Sequence, residues 1–269
     1  GSFTYSGQSM ATVVRARNAA GNVTVNYDGT GNTSPNFAKD VTLSEANILA
    51  GTLTPTALLA TSFTAGQASP SLTFTFTNRA TAPGVARVRA VDSDGVTSAT
   101  GVEAVPAIRS GRARIANALG SDRLDLPMVF RAEYWASAAS GWVTNTSDSC
   151  TTASLAFTAA TTPSIVGSTC VLEPANNSGA GCAATPAVAN RAYLEGGLVG
   201  TDSAGVAGFA GNFNLWLKAP GAGTSGSVDV TATVPAWLQY NWTGTVGNPK
   251  GRATFGVYRS PLLYRRENY

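Results

Sequence analysis

Two aspartates, Asp92 and Asp94, are the residues that the sequence places best for binding a cation. Calcium loops use carboxylates two positions apart before a glycine, and Glu103 stands at the twelfth position of such a loop counted from Asp92. The fifth and ninth positions carry Val96 and Thr100, and the flanking segments alternate like strands instead of helices. Calcium is therefore one candidate cofactor at Asp92 and Asp94, and the more common use of this pattern is a hairpin turn built on aspartate and glycine.

A second candidate site is the aromatic group of Trp237, Tyr240 and Trp242. Flat aromatic faces beside amide side chains, here Gln239 and Asn241, are the residue types that stack on sugar rings. The competing interpretation is that alternate members of the segment pack into the core, and it is favoured for Trp237. The sequence thus supports a carbohydrate-binding surface only as one hypothesis among others.

Three cysteines, Cys150, Cys170 and Cys182, fall within one stretch of the chain. One disulfide and one remaining thiol is the simplest arrangement, and three pairings satisfy it. A bridge between Cys150 and Cys170 is slightly preferred, with Cys182 as the alternative partner, because Cys150 ends a predicted strand and Cys170 begins the next apolar step. The loops around the cysteines are rich in Gly, Ser and Asn, which favours an oxidising compartment.

The composition narrows the class of protein. The 269 residues include no histidine, which removes the commonest general base, the commonest zinc ligand and the middle member of most nucleophilic triads. No motif pairs two carboxylates as a glycosidase would, so we predict no catalytic residues and no enzyme activity. The net charge of +3 is scattered, which predicts no nucleic-acid partner, and no apolar run approaches the roughly 20 residues of a membrane span.

Alternating apolar and polar residues predict the elements that must position these groups. The clearest run is Val228 to Val234, where three valines and an alanine point one way and Asp229 and two threonines point the other. Similar runs predict a hairpin of Val13–Arg17 with Val23–Tyr27 and a final structural strand at Leu262–Tyr264. No run with a helical period exceeds about two turns. The pattern therefore predicts an all-β protein.

Strand spacing and turn residues predict two β-sandwich domains in tandem, of immunoglobulin-like or jelly-roll-like type. Residues 1–107 form the first, an immunoglobulin-like β-sandwich, and residues 108–269 form a larger second one. A proline and a glycine near residues 105–111 mark the boundary. The stretch at about 150–190 is irregular, and we predict that it is a Cys-containing loop insertion.

Four segments resemble one known family. They are FTYSGQ with ARNAAGNVTVNY, RAVDSDGVTS, LPMVFRAEYW with GWVTNTSDSC, and VDVTATVPAWLQYNW through RATFGVYR to LLYRRENY. In this order, over nearly the whole chain, they resemble the conserved C-terminal region of MSHA biogenesis protein MshQ and related type IV pilus-associated surface proteins of Gram-negative bacteria. The resemblance implies an extracellular or outer-membrane β protein linked to pili, adhesion or surface assembly, and it carries over no catalytic residue.

The sequence and this resemblance together favour a non-enzymatic extracellular surface module of a pilus-associated adhesin or pilus-assembly protein. Its expected partners are other surface or pilus proteins, copies of itself, or glycans. One alternative is a subunit of an extracellular filament that assembles through strand or edge contacts. The other is a carbohydrate-binding module that uses exposed aromatic residues.

Overall fold

Strands dominate the structure, a computed structural model that describes residues 3–148, 151–160, 164–172, 190–193 and 211–256. Within these ranges the only helical elements are single 3₁₀ turns at Ala60–Ser62 and Ala236–Leu238. No helix in the described ranges is long and apolar enough to cross a membrane. The predicted all-β class with tandem β-sandwiches is confirmed.

The chain divides into two compact units. Unit 1 comprises residues 1–112 and 133–143, and unit 2 comprises residues 113–132 and 144–269. The chain passes from one unit to the other at three points, after residues 112, 132 and 143, and each point lies inside a strand. The boundary that the sequence predicts between residues 107 and 108 would separate two domains that fold independently. It stays a prediction.

Eleven short strands lie in the described residues up to residue 109. They are β1 (Thr4–Tyr5), β2 (Ser9–Ala11), β3 (Val14–Arg15), β4 (Val41–Glu45), β5 (Gly51–Thr54), β6 (Ala57–Leu58), β7 (Gln67–Ala68), β8 (Ser71–Phe76), β9 (Gly84–Val85), β10 (Val88–Asp92) and β11 (Ala107–Arg109). Their pairing orders are β1-β11-β9, β10-β4-β6, β2-β8-β5 and β3-β7. β1 pairs with β11 in parallel, Thr4 opposite Ile108, so the two ends of this stretch lie side by side.

The core of unit 1 follows from strand alternation. In β8 the side chains of Leu72, Phe74 and Phe76 are buried while the threonines between them face outward or to the side. β4 buries Val41 and Leu43 in the same way and joins the same apolar cluster. Burial of these alternating side chains is the main contribution that holds the sheets of unit 1 face to face.

Eleven further strands lie in the described residues after residue 110. They are β12 (Gly111–Ile115), β13 (Ala118–Gly120), β14 (Leu126–Ser137), β15 (Gly141–Thr144), β16 (Thr152–Ala159), β17 (Asn190–Tyr193), β18 (Asn212–Leu217), β19 (Gly226–Thr233), β20 (Tyr240–Asn241), β21 (Val246–Gly247) and β22 (Lys250–Phe255). The main sheet of unit 2 has the order β13-β22-β19-β16-β17, and β18 pairs with β14 in a second sheet. Phe130 and Phe213 stack at 3.8 Å between ring centroids on that second sheet.

β19 is buried on both faces, although its sequence predicts a half-buried strand. Val228, Val230 and Ala232 lie in the core, as predicted. On the other face Asp229 is also buried, because Arg252 Nε donates to it at 2.7 Å and Lys250 Nζ lies 2.9 Å away. Two cations on the neighbouring strand β22 therefore compensate a carboxylate in the middle of the sheet.

The structure differs from the sequence predictions at one hairpin. Val23–Tyr27 forms no strand, and its only ladder contact to the predicted partner is a bridge between Val23 and Arg17, because β3 pairs with β7 instead. β16 lies at the start of the predicted insertion and is a central strand of the main sheet. The Cys-containing loop insertion at about 150–190 stays a prediction. The predicted final strand Leu262–Tyr264 lies outside the described residues.

Candidate functional site

A cleft of about 640 Å³ lies within unit 1 and is a candidate site. Buried apolar side chains from three segments line its interior: Val41, Leu43, Phe63 and Val88. Its volume falls inside the roughly 300–1,000 Å³ range of ligand sites in proteins, which are also mostly apolar. The cleft thus has the size and lining of a binding site.

One wall of the cleft is a strand edge that has no neighbouring strand among the described residues. Thr12 N donates to Pro70 O and Ala16 N donates to Gly66 O, and the groups of Val14 face Ala68. In an antiparallel pair, the backbone N–H and C=O groups of every second residue point to the partner strand. The backbone groups of Val13, Arg15 and Arg17 therefore point away from it. We call Val13, Arg15 and Arg17 the free edge, because no described backbone group bonds to their N–H or C=O groups.

The opposite wall is β10 together with the segment 96–104 that follows it. Asp92 N donates to Val96 O and Ser98 N donates to Ala90 O, which makes a short hairpin. A second bond from Val88 N to Ala104 O closes the segment onto β10. The backbone hydrogen bonds on this side of β10 are therefore made within the wall itself. The backbone groups of the free edge, in contrast, have no described partner.

Three valines at the mouth of the cleft are exposed to solvent. Val13 is 44% exposed, Val96 is 67% exposed and Val102 is 73% exposed, and all three line the cleft. Single exposed apolar residues are ordinary, but an apolar rim continuous with an apolar interior marks an interaction surface. The rim is therefore the part of unit 1 that is best suited to contact another molecule.

The buried carboxylate of Glu103 holds the second wall in place. Arg89 Nε donates to its Oε1 at 2.8 Å, the Ser98 hydroxyl lies 3.0 Å from the same atom, and Arg87 Nε lies 3.8 Å from Oε2. The hydrogen bond from Arg89 keeps the pKa of Glu103 below its ordinary value, against the opposing effect of burial. Glu103 is thus a charged structural anchor of the wall.

The predicted calcium ligands each have protein partners. Asp92 Oδ1 accepts from the N–H groups of Asp94 and Val96, as in an aspartate-capped turn. Asp94 pairs with Lys39 at 3.2 Å, and Glu103 is held by Arg89. Within the described ranges no cluster of three metal-ligating side chains occurs. The calcium site at Asp92 and Asp94 stays a prediction that these contacts do not test.

The predicted aromatic site lies on a small hairpin in unit 2. Tyr240 belongs to β20, and its ring meets the ring of Trp242 edge to face at 5.1 Å. Trp242 is 38% exposed, whereas Trp237 is half-buried in the 3₁₀ turn before the hairpin. Tyr240 and Trp242 are therefore together, and their role in sugar binding stays a prediction.

Cys170 is the one cysteine in the described ranges. Its carbonyl accepts from Lys218 N at 2.9 Å, which ties the segment to the end of β18. Cys150 and Cys182 lie outside the described residues. The predicted Cys150–Cys170 bridge therefore stays a prediction.

Sequence reasoning missed the cleft because its two walls come from distant segments. The sequence predicts the free edge as half of a local hairpin, and it predicts Glu103 only as a position of a calcium loop. One signal was present: Val13, Arg15 and Arg17 alternate with small or apolar residues, so two cations and an apolar residue share one side of a strand. That pattern indicates an edge strand, and it does not indicate which side lacks a neighbour.

Solved structures give only low similarity to this chain. The Yersinia pseudotuberculosis adhesin InvE has 14% identity and a TM-score of 0.28, and the match covers 95% of this chain and 57% of the InvE chain. The C-terminal domain of the Streptococcus agalactiae AgI/II polypeptide BspA has 8% identity and a TM-score of 0.27, covering 94% and 95% of the two chains. Human protocadherin-24 EC1-2 has 10% identity and a TM-score of 0.19, covering 83% and 84%. Likeness at this level says nothing about function.

Sequence families give a clear result. No curated protein matches the chain. Residues 1–108 match DUF6701, third domain, and residues 109–268 match DUF6701, fourth domain. No named relative ties these two domains to MshQ or to type IV pili, so that link remains a hypothesis. The two matches account for nearly every residue, and the chain belongs to the DUF6701 family.

Proposed function

We propose that the chain is a non-enzymatic extracellular surface module of a pilus-associated adhesin or pilus-assembly protein in a Gram-negative bacterium. In this proposal the cleft of unit 1 is the place where the module holds a partner at the cell surface. The resemblance of its sequence segments to the MshQ region supports the pilus setting.

The observation that carries the proposal is the apolar rim of the cleft. Val96 and Val102 are more than half exposed and lie next to a cavity that is itself apolar. Exposing such side chains to water is unfavourable by roughly 25 cal/mol per Å² of apolar area, so a partner that covers them gains this free energy. A surface of this kind is typical of a binding module.

The charged groups of the cleft support a non-enzymatic role. A general acid or base needs a proton-transfer group that can reach a substrate. The Oδ1 atom of Asp92 is engaged by two turn amides, and the carboxylate of Glu103 is buried and paired with Arg89. Both carboxylates that line the cleft therefore serve its architecture.

A substitution at the rim tests the proposal in the source organism. Val102→Glu in the chromosomal gene places a charge on the rim at a side chain that is already in water, so the fold should persist. We expect normal surface display, measured by protease accessibility on intact cells, together with reduced adhesion or reduced surface pili. The matched control is Ile48→Glu, at a residue that is 96% exposed and lies away from the cleft lining.

Two outcomes would reject the proposal. One is a chain that stays protected from protease in intact cells, which would remove it from the surface. The other is adhesion and piliation that remain unchanged in the Val102→Glu strain at equal display, which would show that the cleft holds no partner needed for either process.

The edge-to-face pair of Tyr240 and Trp242 favours carbohydrate binding as a second candidate function. An exposed indole beside a tyrosine on a hairpin is a suitable platform for a sugar ring. Trp242→Ala should abolish retention on a glycan array if this function holds, while Val102→Glu should leave it intact. Equal retention of wild type and Trp242→Ala would reject the candidate.

A further inference from the structure

We propose that the occupant of the cleft is an extended peptide segment of a partner protein, with apolar and acidic residues in alternation, which adds to the free edge as an extra strand. This inference rests on the proposed function, since it names the kind of partner that the same cleft would hold. Three features of the described residues define the occupant.

The backbone defines its conformation. Val13, Arg15 and Arg17 direct their N–H and C=O groups away from the strands that pair with their neighbours. The bridge between Arg17 and Val23 continues this pattern, because Thr24 N bonds to Ala16 O and Asn18 N bonds to Asn22 O. An unpaired edge of this kind is a template for one more strand, which is the mode used in β-augmentation.

The interior of the cleft determines the side chains on one face of the added peptide strand. Val14 lies between the edge residues in sequence and packs against the core cluster of unit 1. A residue directly across from Val14 on an added strand would share its face, and would therefore meet the apolar lining of Val41 and Leu43. Every second residue of the occupant should be apolar.

The exposed face of the free edge determines the side chains on the other face of the peptide strand. Arg15 Nε donates to the amide oxygen of Gln67 at 2.9 Å, and Arg17 Nη1 donates to the carbonyl of Gly21 at 2.5 Å. Both partners are neutral, and neither arginine forms an ion pair with another described residue. Residues opposite Arg15 and Arg17 lie on the same face as the two guanidinium groups, and acidic side chains there would complement them.

The probe for the test is the capped peptide Ac-Val-Glu-Val-Glu-Val-Glu-NH2, with two companions of equal length. The first replaces glutamate with lysine, and the second carries N-methyl groups on alternate amides along its hydrogen-bonding edge. Fluorescence anisotropy against the full chain gives each dissociation constant, and hydrogen exchange reports on the amides of the free edge. We expect the acidic peptide to bind at least tenfold more tightly than either companion and to slow exchange at Val13, Arg15 and Arg17.

A charge reversal keeps the test independent of folding. The double variant Arg15→Glu/Arg17→Glu should lose affinity for the acidic peptide and gain affinity for the lysine peptide, which a merely unfolded variant would not do. Arg114→Glu, at an exposed arginine on β12, is the matched control and should bind like the wild type. Circular dichroism and thermal melting establish that all variants are folded.

Other occupants give distinct results. Equal binding of the N-methylated peptide would mean that the cleft takes an apolar ligand without strand pairing, and would overturn the proposal. Self-association of the full chain that the double variant abolishes would assign the edge to a second copy, and would also overturn it. Peptide binding as expected, together with unchanged adhesion of Val102→Glu cells, would uphold this inference and reject the proposed function.

Discussion

Glu103, whose side chain is fully buried, accepts a hydrogen bond of 2.8 Å from Arg89 Nε. The two residues belong to neighbouring segments of one cleft wall, and Ser98 completes the contact. A buried carboxylate is tolerated because a cation and a hydroxyl replace the water that it loses. The pair therefore decides whether the wall keeps its shape.

The first prediction concerns this pair. Glu103→Gln removes the negative charge that faces the guanidinium groups of Arg89 and Arg87. Because neither guanidinium group then has an opposite charge at this position, the melting temperature should fall clearly. Asp94→Asn is the control, since its ion pair with Lys39 is largely exposed and should contribute less than about 1 kcal/mol. A Glu103→Gln protein that melts with the wild type would show that the buried charge does not stabilise the wall.

The second prediction is a pH dependence at Asp229. The hydrogen bond from Arg252 lowers the pKa of Asp229 in the folded chain, in opposition to burial. A lowered folded pKa means that the stabilisation is complete above the unfolded pKa of roughly 4 and is lost as the pH falls through the folded value. Chemical denaturation from pH 7 to pH 2 should show the wild type losing its advantage over Asp229→Asn only in the acid range. An advantage that stays constant down to pH 2 would contradict this assignment.

The third prediction is steric and concerns Gly29. A Cβ atom placed on Gly29 would lie 1.8 Å from the carbonyl oxygen of Ala60, so the backbone must move. Gly29→Ala should therefore destabilise unit 1 by about 1–3 kcal/mol. Gly101→Ala is the matched control, because a Cβ there meets no atom within 4 Å and should leave the denaturation midpoint unchanged. Equal midpoints for the two variants would refute the close approach.

The fourth prediction is a stabilising change at Ile48. This β-branched residue has a φ of 60° and is 96% exposed. Its unfavourable backbone conformation is therefore not offset by packing of the side chain. Ile48→Asn should raise the free energy of unfolding by roughly 1 kcal/mol, because asparagine adopts the left-handed region more readily. Ile48→Val keeps the branched carbon and should change nothing. A destabilised asparagine variant would mean that the isoleucine side chain has a packing role after all.

Local pattern was enough to predict some elements and not others. The strand Ser71–Phe76 is evident in sequence because its alternation matches its burial residue by residue. The pairing of β3 with β7 is not, because Val14 and Ala68 are far apart in the chain and a nearer alternating run at Val23–Tyr27 offered a plausible partner. Register and partner choice depend on contacts that a period of two cannot encode.

The same limit applies to the candidate site. The spacing of Asp92 and Asp94 is visible in the sequence, because the turn that they form is a local structure. The role of Glu103, which lies outside the strands, depends on Arg89 of β10. The apolar lining of the cleft combines Leu43 with Phe63 from separate segments. Burial of both faces of β19 was likewise hidden, because the cations that compensate Asp229 come from β22.

The parallel pairing of β1 with β11 has a consequence for the order of events during synthesis. Ile108 is synthesised about a hundred residues after Thr4, and β1 has no neighbouring strand until then. At roughly 5 to 20 residues per second, a ribosome needs about 5 to 20 s to deliver that neighbour. For this time the first strand is an unpaired edge, and contacts of such long sequence separation also form slowly once both segments are present. The nascent chain should therefore be most sensitive to chaperones and proteases before residue 109 has emerged.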